Sequence, residues 1–167
     1  MKRFLAAISL ICVLSGCIKE GKKGADIKVG DSLPQFEVLV NDGTVASDSY
    51  LKGTVSIVMF FHTSCPDCQQ ALPRMQGIYD EYVPGGVRIV LISREDAADN
   101  IEAYWTANGL EMPYSAQTDR RVYELFASSR IPRIYISDEN GTVRYIFTDD
   151  PVPSYDDLKS ALESLIR

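Results

Sequence analysis

The hydrophobic pattern changes character several times along the chain, and each change predicts an element. The strongest apolar run, Val55–Phe61, does not alternate and is rich in β-branched and aromatic residues. Such a run is expected of a strand buried on both faces. Val87–Ser93 has the same quality and predicts a second buried strand. Between them Leu72, Met75, Ile78, Tyr79 and Tyr82 recur at helical spacing, which predicts a helix over Pro66–Tyr82. Pro73 lies inside it and should kink it, and Pro84-Gly85-Gly86 ends it. Ile101, Tyr104 and Trp105 share one face of a helix predicted over Asp99–Asn108, with Gly109 as its stop. A shorter helix is predicted over Arg121–Ala127, with Val122, Leu125 and Phe126 turned inward.

The two ends of this region carry hairpins. Phe36–Val40 and Thr44–Ala46 flank the turn signal Asn41-Asp42-Gly43, and Tyr50-Leu51-Lys52-Gly53 reads as a further turn. After Ile131-Pro132, the strands Arg133–Ser137 and Thr142–Phe147 are joined by Glu139-Asn140-Gly141. Ser154, with an acid three residues later at Asp157, resembles a helix N-cap. Leu158, Ala161, Leu162, Leu165 and Ile166 then form the apolar stripe of a closing helix. The order is strand–helix–strand, an inserted helix, a hairpin and a helix. It predicts an α/β fold with one mixed sheet covered by helices and an N-terminal hairpin extension.

The first residues stand apart from this pattern. Lys2 and Arg3 precede an apolar run, Phe4–Leu14, that is broken only by Ser9. A permanent membrane helix needs about 20 apolar residues, so the run has the layout of an export signal. It ends in Leu14-Ser15-Gly16-Cys17, which resembles the lipobox of bacterial lipoproteins. That resemblance implies cleavage after residue 16 and a diacylglycerol on the Cys17 thiol, which changes the membrane assignment from spanning to anchored. The alternative is an ordinary secretory signal with a chance cysteine. Residues 17–27 then form the lipidated cysteine and a flexible tether rich in lysine and glycine, and residues 28–167 form one domain with no linker or repeat to divide it. Ile18, rather than an aspartate, follows Cys17; by resemblance to the enterobacterial sorting rule this favours the outer membrane over the inner.

Charge narrows the partners. Loss of Lys2 and Arg3 with the leader takes the 17 basic residues to 15, against 23 acidic ones. A mature chain this acidic argues against nucleic acid. Cysteine narrows the chemistry. Cys12 leaves with the leader and Cys17 is the lipidation candidate, so the domain keeps only Cys65 and Cys68. A bridge between them closes too small a loop to restrain the unfolded chain much, and the spacing suggests redox chemistry instead. At a strand-to-helix junction the first cysteine meets unpaired N–H groups and the positive end of the helix dipole, which favour a thiolate. Cys65 is therefore expected to attack and Cys68, one turn deeper, to resolve. Pro66 suits the first helical turn because it has no N–H to leave unpaired. Asp67 places a negative charge near the thiols and partly offsets the helix effect. His62, the single histidine, is the nearest titratable group and a candidate to tune the thiols; the alternative is a polar residue at a strand end. A structural zinc site would need four ligands, and Cys65, Cys68 and His62 supply three. No metal or bound cofactor is expected, the Cys65–Cys68 disulfide being itself the redox group.

The segment Phe60-Phe61-His62-Thr63-Ser64-Cys65-Pro66-Asp67-Cys68 resembles the active-site segment of thioredoxin-like proteins of the TlpA/ResA type. Pro73, eight residues after the first cysteine, matches the helix proline of thioredoxins, and Ile131-Pro132 matches the cis-proline loop. Gly30-Asp31-Ser32-Leu33-Pro34-Gln35-Phe36 is similar to the G-x-x-x-P-x-F start of this subfamily, and so is Thr118-Asp119 before Val122–Phe126. The resemblance covers about residues 28–167. It implies a thioredoxin-like fold, with a cis peptide at Ile131-Pro132 facing the cysteines and the Ile131 backbone pairing with a substrate strand. The alternative for that proline is an ordinary trans bond at a strand start. The resemblance also implies protein thiols and disulfides of the cell envelope as substrates and a membrane or periplasmic thiol as electron donor. Three positions depart from the pattern. Ser64 stands where many relatives have tryptophan, Ala71 where many have glutamate, and Met59 where thioredoxin has a buried aspartate. No proton acceptor for Cys68 is therefore visible. A thiol peroxidase of the peroxiredoxin superfamily would need P-x-x-x-[TS]-x-x-C, and Val58 and His62 occupy those positions relative to Cys65. A binding module that keeps the disulfide for rigidity is the remaining alternative.

Overall fold

The computed structural model describes residues 26–166; the leader, Cys17 and the tether as far as residue 25 lie outside the described residues. Asp26 and Ile27, assigned to the tether by their sequence, are tied into the fold. The Ile27 N–H donates to Phe126 O at 3.0 Å, and the Asp26 carboxylate accepts from Ser128 and pairs with Arg133 at 2.8 Å.

The strongest apolar run becomes β3, Ser56–Phe61, with all six residues buried. It is the middle strand of a five-stranded mixed sheet. On one side it runs parallel to β4 (Arg88–Ser93), which is parallel in turn to the short β5 (Tyr114–Ser115). On the other side it is antiparallel to β6 (Arg133–Ser137), which pairs antiparallel with β7 (Val143–Phe147). The hairpin β1 (Glu37–Leu39) and β2 (Val45–Ser47) is a separate two-stranded sheet, so the extension adds to the domain without joining the main sheet. Its strands alternate as period two requires, with Val38 and Ala46 buried and Leu39 and Val45 exposed.

Helix α2 spans Pro66–Tyr82 and runs on through Pro73; it buries Cys68, Ala71, Leu72, Met75 and Ile78. Helix α3, Ala98–Asn108, buries Ile101 and Trp105 and ends on Gly109, whose φ of 62° is the left-handed conformation that glycine adopts without a Cβ penalty. Helix α4, Tyr155–Glu163, opens with the anticipated capping box between Ser154 and Asp157. It stops before Ile166, which turns outward instead of extending the stripe.

Four features depart from the sequence pattern. The segment read as a turn at Tyr50 holds a one-turn helix α1, Asp48–Leu51, because the Ser47 hydroxyl caps it by accepting the Tyr50 N–H at 3.0 Å. Strand β5 has no counterpart in the sequence pattern. It is two residues long, and the β1–β2 turn stabilises it through Asn41 N–H to Tyr114 O and Tyr114 N–H to Asn41 Oδ1, both at 2.9 Å. The helix expected over Arg121–Ala127 is a single 3₁₀ turn, Tyr123–Leu125. A repeat of three residues puts Tyr123 and Phe126 on one inward face and leaves Leu125 45% exposed. Finally, Asp150-Pro151 is a second cis peptide that no local signal announced.

Phe126 and Phe60 anchor the aromatic core. Their centroids are 4.9 Å apart edge to face, and Phe126 also meets Phe36 at 5.4 Å and Tyr135 at 5.3 Å. Phe126→Ala is expected to lower the unfolding free energy by about 3–5 kcal/mol, read from the shift of the denaturant midpoint. Leu125→Ala should change it by less than about 0.5 kcal/mol; equal costs at the two positions would contradict the inward assignment of Phe126 alone.

Candidate active site

The site forms where β3 ends. Three residues, His62–Ser64, carry the chain from Phe61 to Cys65, which is the N-cap of α2 with extended backbone (φ −83°, ψ 118°). Pro66 holds the first helical position. The turn is closed by Cys65 N–H donating to His62 O at 3.1 Å, and the helix starts with Gln69 N–H to Cys65 O at 2.9 Å. Cys65 is half-buried and Cys68 is completely buried one turn behind it; both are free thiols. Burial pushes the Cys68 thiol far above its ordinary range, and the neighbouring Cys65 adds to that. The His62 backbone works in the opposite direction, as does the Arg94 cation more weakly. Two cysteines in one motif thus have different environments: one reachable, one protonated and shielded.

The wall opposite the cysteines is the Ile131-Pro132 loop. Its peptide is cis, and the Cys65 Sγ lies 3.6 Å from the Ile131 carbonyl oxygen. Arg130, just before it, has a positive φ of 72°, and its carbonyl accepts the Tyr123 hydroxyl at 2.7 Å. The Arg130 side chain pairs with Asp149 at 3.1 Å. The loop is therefore held from the core by Tyr123 and from the surface by an ion pair. The face of Tyr123 is covered by the Arg94 guanidinium, with its carbon 5.3 Å from the ring centroid.

His62 is partly exposed and close to the cysteines. Its Nδ1 lies 3.1 Å from Ser64 N, 3.0 Å from Ser64 Oγ and 3.5 Å from Asp96 Oδ2. Asp67 sits in the first turn of α2, with Gln70 Nε2 at 3.4 Å from its Oδ1. Met59 and Ala71, which replace the acids of other thioredoxin-like sites, are fully buried and put no polar group behind Cys68. Among the described residues no three metal-ligating side chains cluster.

The residue that sequence reasoning missed is Asp96. It lies in the loop from β4 to α3 and is buried. Its Oδ2 accepts the Thr63 N–H at 2.8 Å and the Thr63 hydroxyl at 2.6 Å, and its Oδ1 accepts the Asn100 amide at 3.2 Å. Burial pushes this carboxyl up, but the two Thr63 bonds, Asn100 and His62 together bring it below its ordinary value, so it is ionised near neutrality. One signal pointed to it: an acid just past the carboxyl end of a buried parallel strand stands where α/β sheets carry their chemistry.

Comparison with known proteins bears on the site. The model of the AhpC/TSA family matches residues 29–146. The thiol-disulfide oxidoreductase ResA of Geobacillus thermodenitrificans is 25% identical over 139 residues, which is 83% of this chain and 79% of the relative. ResA of Bacillus subtilis is 26% identical over 143 residues, again 83% of this chain and 79% of the relative. Among solved structures, a thiol:disulfide interchange protein of Chlorobium tepidum superposes with a TM-score of 0.70 at 24% identity, covering 84% of this chain and 99% of the other. The thioredoxin domain of a thiol-disulfide oxidoreductase from Bacteroides vulgatus gives 0.73 at 19% identity, covering 85% and 100%. The folds agree, the C-x-x-C pair sits at the end of the central strand, and the family match spans well over half the sequence: the chain belongs to the AhpC/TSA family of thioredoxin-like proteins.

Proposed function

We propose that this protein, a thiol–disulfide oxidoreductase, reduces disulfides of exported proteins through Cys65 and Cys68 while anchored to the membrane by a lipid on Cys17. The observation that carries the exchange chemistry is the placement of the two sulfurs. Half-buried Cys65 lies against the Ile131 carbonyl, and Cys68 waits behind it, fully buried. An incoming disulfide is attacked by the Cys65 thiolate, and one substrate sulfur leaves as a thiolate. Cys68 then loses its proton and attacks the Cys65 sulfur. The mixed disulfide breaks, the second substrate sulfur leaves and is protonated, and the Cys65–Cys68 disulfide remains. Two electrons pass from the protein to the substrate, and a thiol donor in the envelope restores the pair. The Ile131 backbone, beside cis Pro132, is the ledge on which an extended substrate would lie.

The reducing direction rests on electrostatics. A pair is strongly oxidising when its reduced form is stabilised as a thiolate. Here Cys68 is held protonated by burial, and the Asp67 carboxylate stands in the first turn of α2 beside Cys65. The anchor rests on the leader and on Cys17, with Ile18 favouring the outer membrane; no helix among the described residues is long and apolar enough to cross a membrane. The peroxidase alternative finds no support at the site. His62 and Val58 occupy the positions it needs, and the nearby Thr63 hydroxyl is engaged by Asp96.

Three results are expected. Cys68→Ser should accumulate mixed disulfides on Cys65 in envelope extracts, while Cys65→Ser should form none and lose insulin reduction; the absence of any trapped species from the first variant would count against exchange chemistry. The reduction potential of the pair, set against glutathione buffers, should lie below about −210 mV; a value nearer that of the strong oxidant DsbA, about −120 mV, would reverse the direction. Cys17→Ser should move the protein from the membrane fraction to the soluble fraction, and a variant that stays with the membrane would remove the lipid anchor.

A further inference from the structure

The substrate ledge belongs to a loop, Ser128–Arg133, that leads into β6. One carboxylate joins both ends of it. Asp26 Oδ1 accepts the Ser128 N–H at 2.8 Å and the Ser128 hydroxyl at 2.9 Å, and its Oδ2 pairs with the Arg133 guanidinium at 2.8 Å. Arg133 also reaches back across the loop and donates to Ser129 O at 2.8 Å. Between these anchors lie Arg130, Ile131 and cis Pro132, with the Ile131 carbonyl oxygen 3.6 Å from the Cys65 sulfur. On the core side the Tyr123 hydroxyl holds the loop at Arg130 O.

Arg133 is the costly member of this arrangement. It opens a strand whose five residues are all buried, stands opposite Phe60 of β3, and is itself only 8% exposed. A buried cation is expensive to keep unless it is paired, and a branched apolar residue there would have continued the run Ile134–Ile136 without that cost. Among the described residues, Asp26 is the one carboxylate that pairs with it. Burial pushes the Asp26 carboxyl up, but the Ser128 bonds and Arg133 together bring it below its ordinary value, so the pair is charged near neutrality. Fastening the chain start to the domain needs none of this, because the Ile27 N–H already donates to Phe126 O at 3.0 Å. The carboxylate goes further and closes the loop.

We propose that Asp26 is a positioning residue for substrate binding: by joining Ser128 to Arg133 it fixes the Ile131 ledge against which an extended, disulfide-bearing peptide lies. This rests on the exchange reading above and deepens it, since it concerns the step before any bond changes. A peptide that meets a fixed backbone pairs with it directly. One that meets a loose loop must order that loop as it binds, and the cost appears as weaker binding. Cys65 does not take its place from the loop. It is set by α2, through Gln69 N–H to Cys65 O at 2.9 Å, and by His62 O, which accepts the Cys65 N–H at 3.1 Å. A loosened loop therefore weakens capture of peptide disulfides and leaves the thiol's own reactivity as it was.

The purified full-length protein separates the two quantities. Insulin, with dithiothreitol as donor, reports a disulfide presented on a peptide, whereas dithiobis(nitrobenzoate) reports attack by Cys65 on a disulfide that has no peptide strand. Asp26→Asn is expected to raise the KM for insulin about tenfold, the low end of what a hydrogen bond to a charged group is worth, with kcat and the rate with dithiobis(nitrobenzoate) unchanged. Ser128→Ala, which removes one bond to the carboxylate, should raise KM in the same direction, and Ser128→Thr, which keeps the hydroxyl, should restore it. An unchanged KM in Asp26→Asn overturns the proposal. So does a matching loss in kcat or in the reaction with dithiobis(nitrobenzoate), which is the mark of a general loosening of the fold. If Asp26→Asn does not fold, Ser128→Ala against Ser128→Thr decides by the same criterion. Failure of the exchange reading looks different: the wild type itself would then reduce neither disulfide.

Discussion

Everything at the site follows from the burial of one strand. β3 is covered on both faces and paired on both edges, parallel to β4 and antiparallel to β6. Burying a large apolar side chain stabilises by about 1.5–3 kcal/mol, and five such side chains run without interruption from Ile57 to Phe61. A strand in this position cannot slip, because a shift of one residue would exchange its two faces. With the register locked at Phe61 opposite Ser93 and Phe60 opposite Arg133, the residues after the strand emerge between two loops. One follows β4 and brings Asp96. The other precedes β6 and brings cis Pro132. Cys65 meets the second wall at the Ile131 carbonyl, and the first wall holds Thr63 in the turn that leads to it.

The two walls are built differently. The cis-proline wall is braced by Tyr123, whose hydroxyl holds Arg130 O while its ring packs 5.3 Å from Phe60 in the core. The Asp96 wall is braced by charge, with a buried carboxylate gathering donors from β3's exit turn and from α3. Aromatic packing tolerates small shifts, whereas a set of short charged bonds has one geometry. The more exacting wall is the one that touches the turn carrying the cysteines. The looser one lies against the Cys65 sulfur.

What the sequence disclosed follows the same physics. β3, β4, α2 and α3 are readable within a residue or two, and α4 except for its last turn, because each is long enough for its period to show. β5 is not, since two residues have no period and its bonds come from β4 and from Asn41, both far away in the chain. The turn at Tyr123 follows a different repeat from the helix its sequence predicts. Three per turn rather than 3.6 puts Tyr123 inside and Leu125 outside, and the choice is made by Phe60 and Arg130 rather than by neighbours in sequence. At the site, Cys65, Cys68, His62 and Ile131-Pro132 belong to short motifs and could be found. Asp96 could not be assigned a role, because its partner Thr63 is 33 residues away and only the β3–β4 register brings them together.

The Asp26–Arg133 pair has a consequence for where this protein can act. Arg133 follows Pro132 directly, so the clip fastens the start of the described chain beside the cis-proline loop. Were Cys17 lipidated as proposed, eight residues, 18–25, would separate it from Asp26. A fully extended chain spans at most about 3.3–3.6 Å per residue, which sets a leash of roughly 30 Å. If Cys17 carries the proposed lipid, the redox face would stay within about one bilayer thickness of the lipid surface, close enough to meet a donor or a client held at the membrane and too close to sweep the wider compartment.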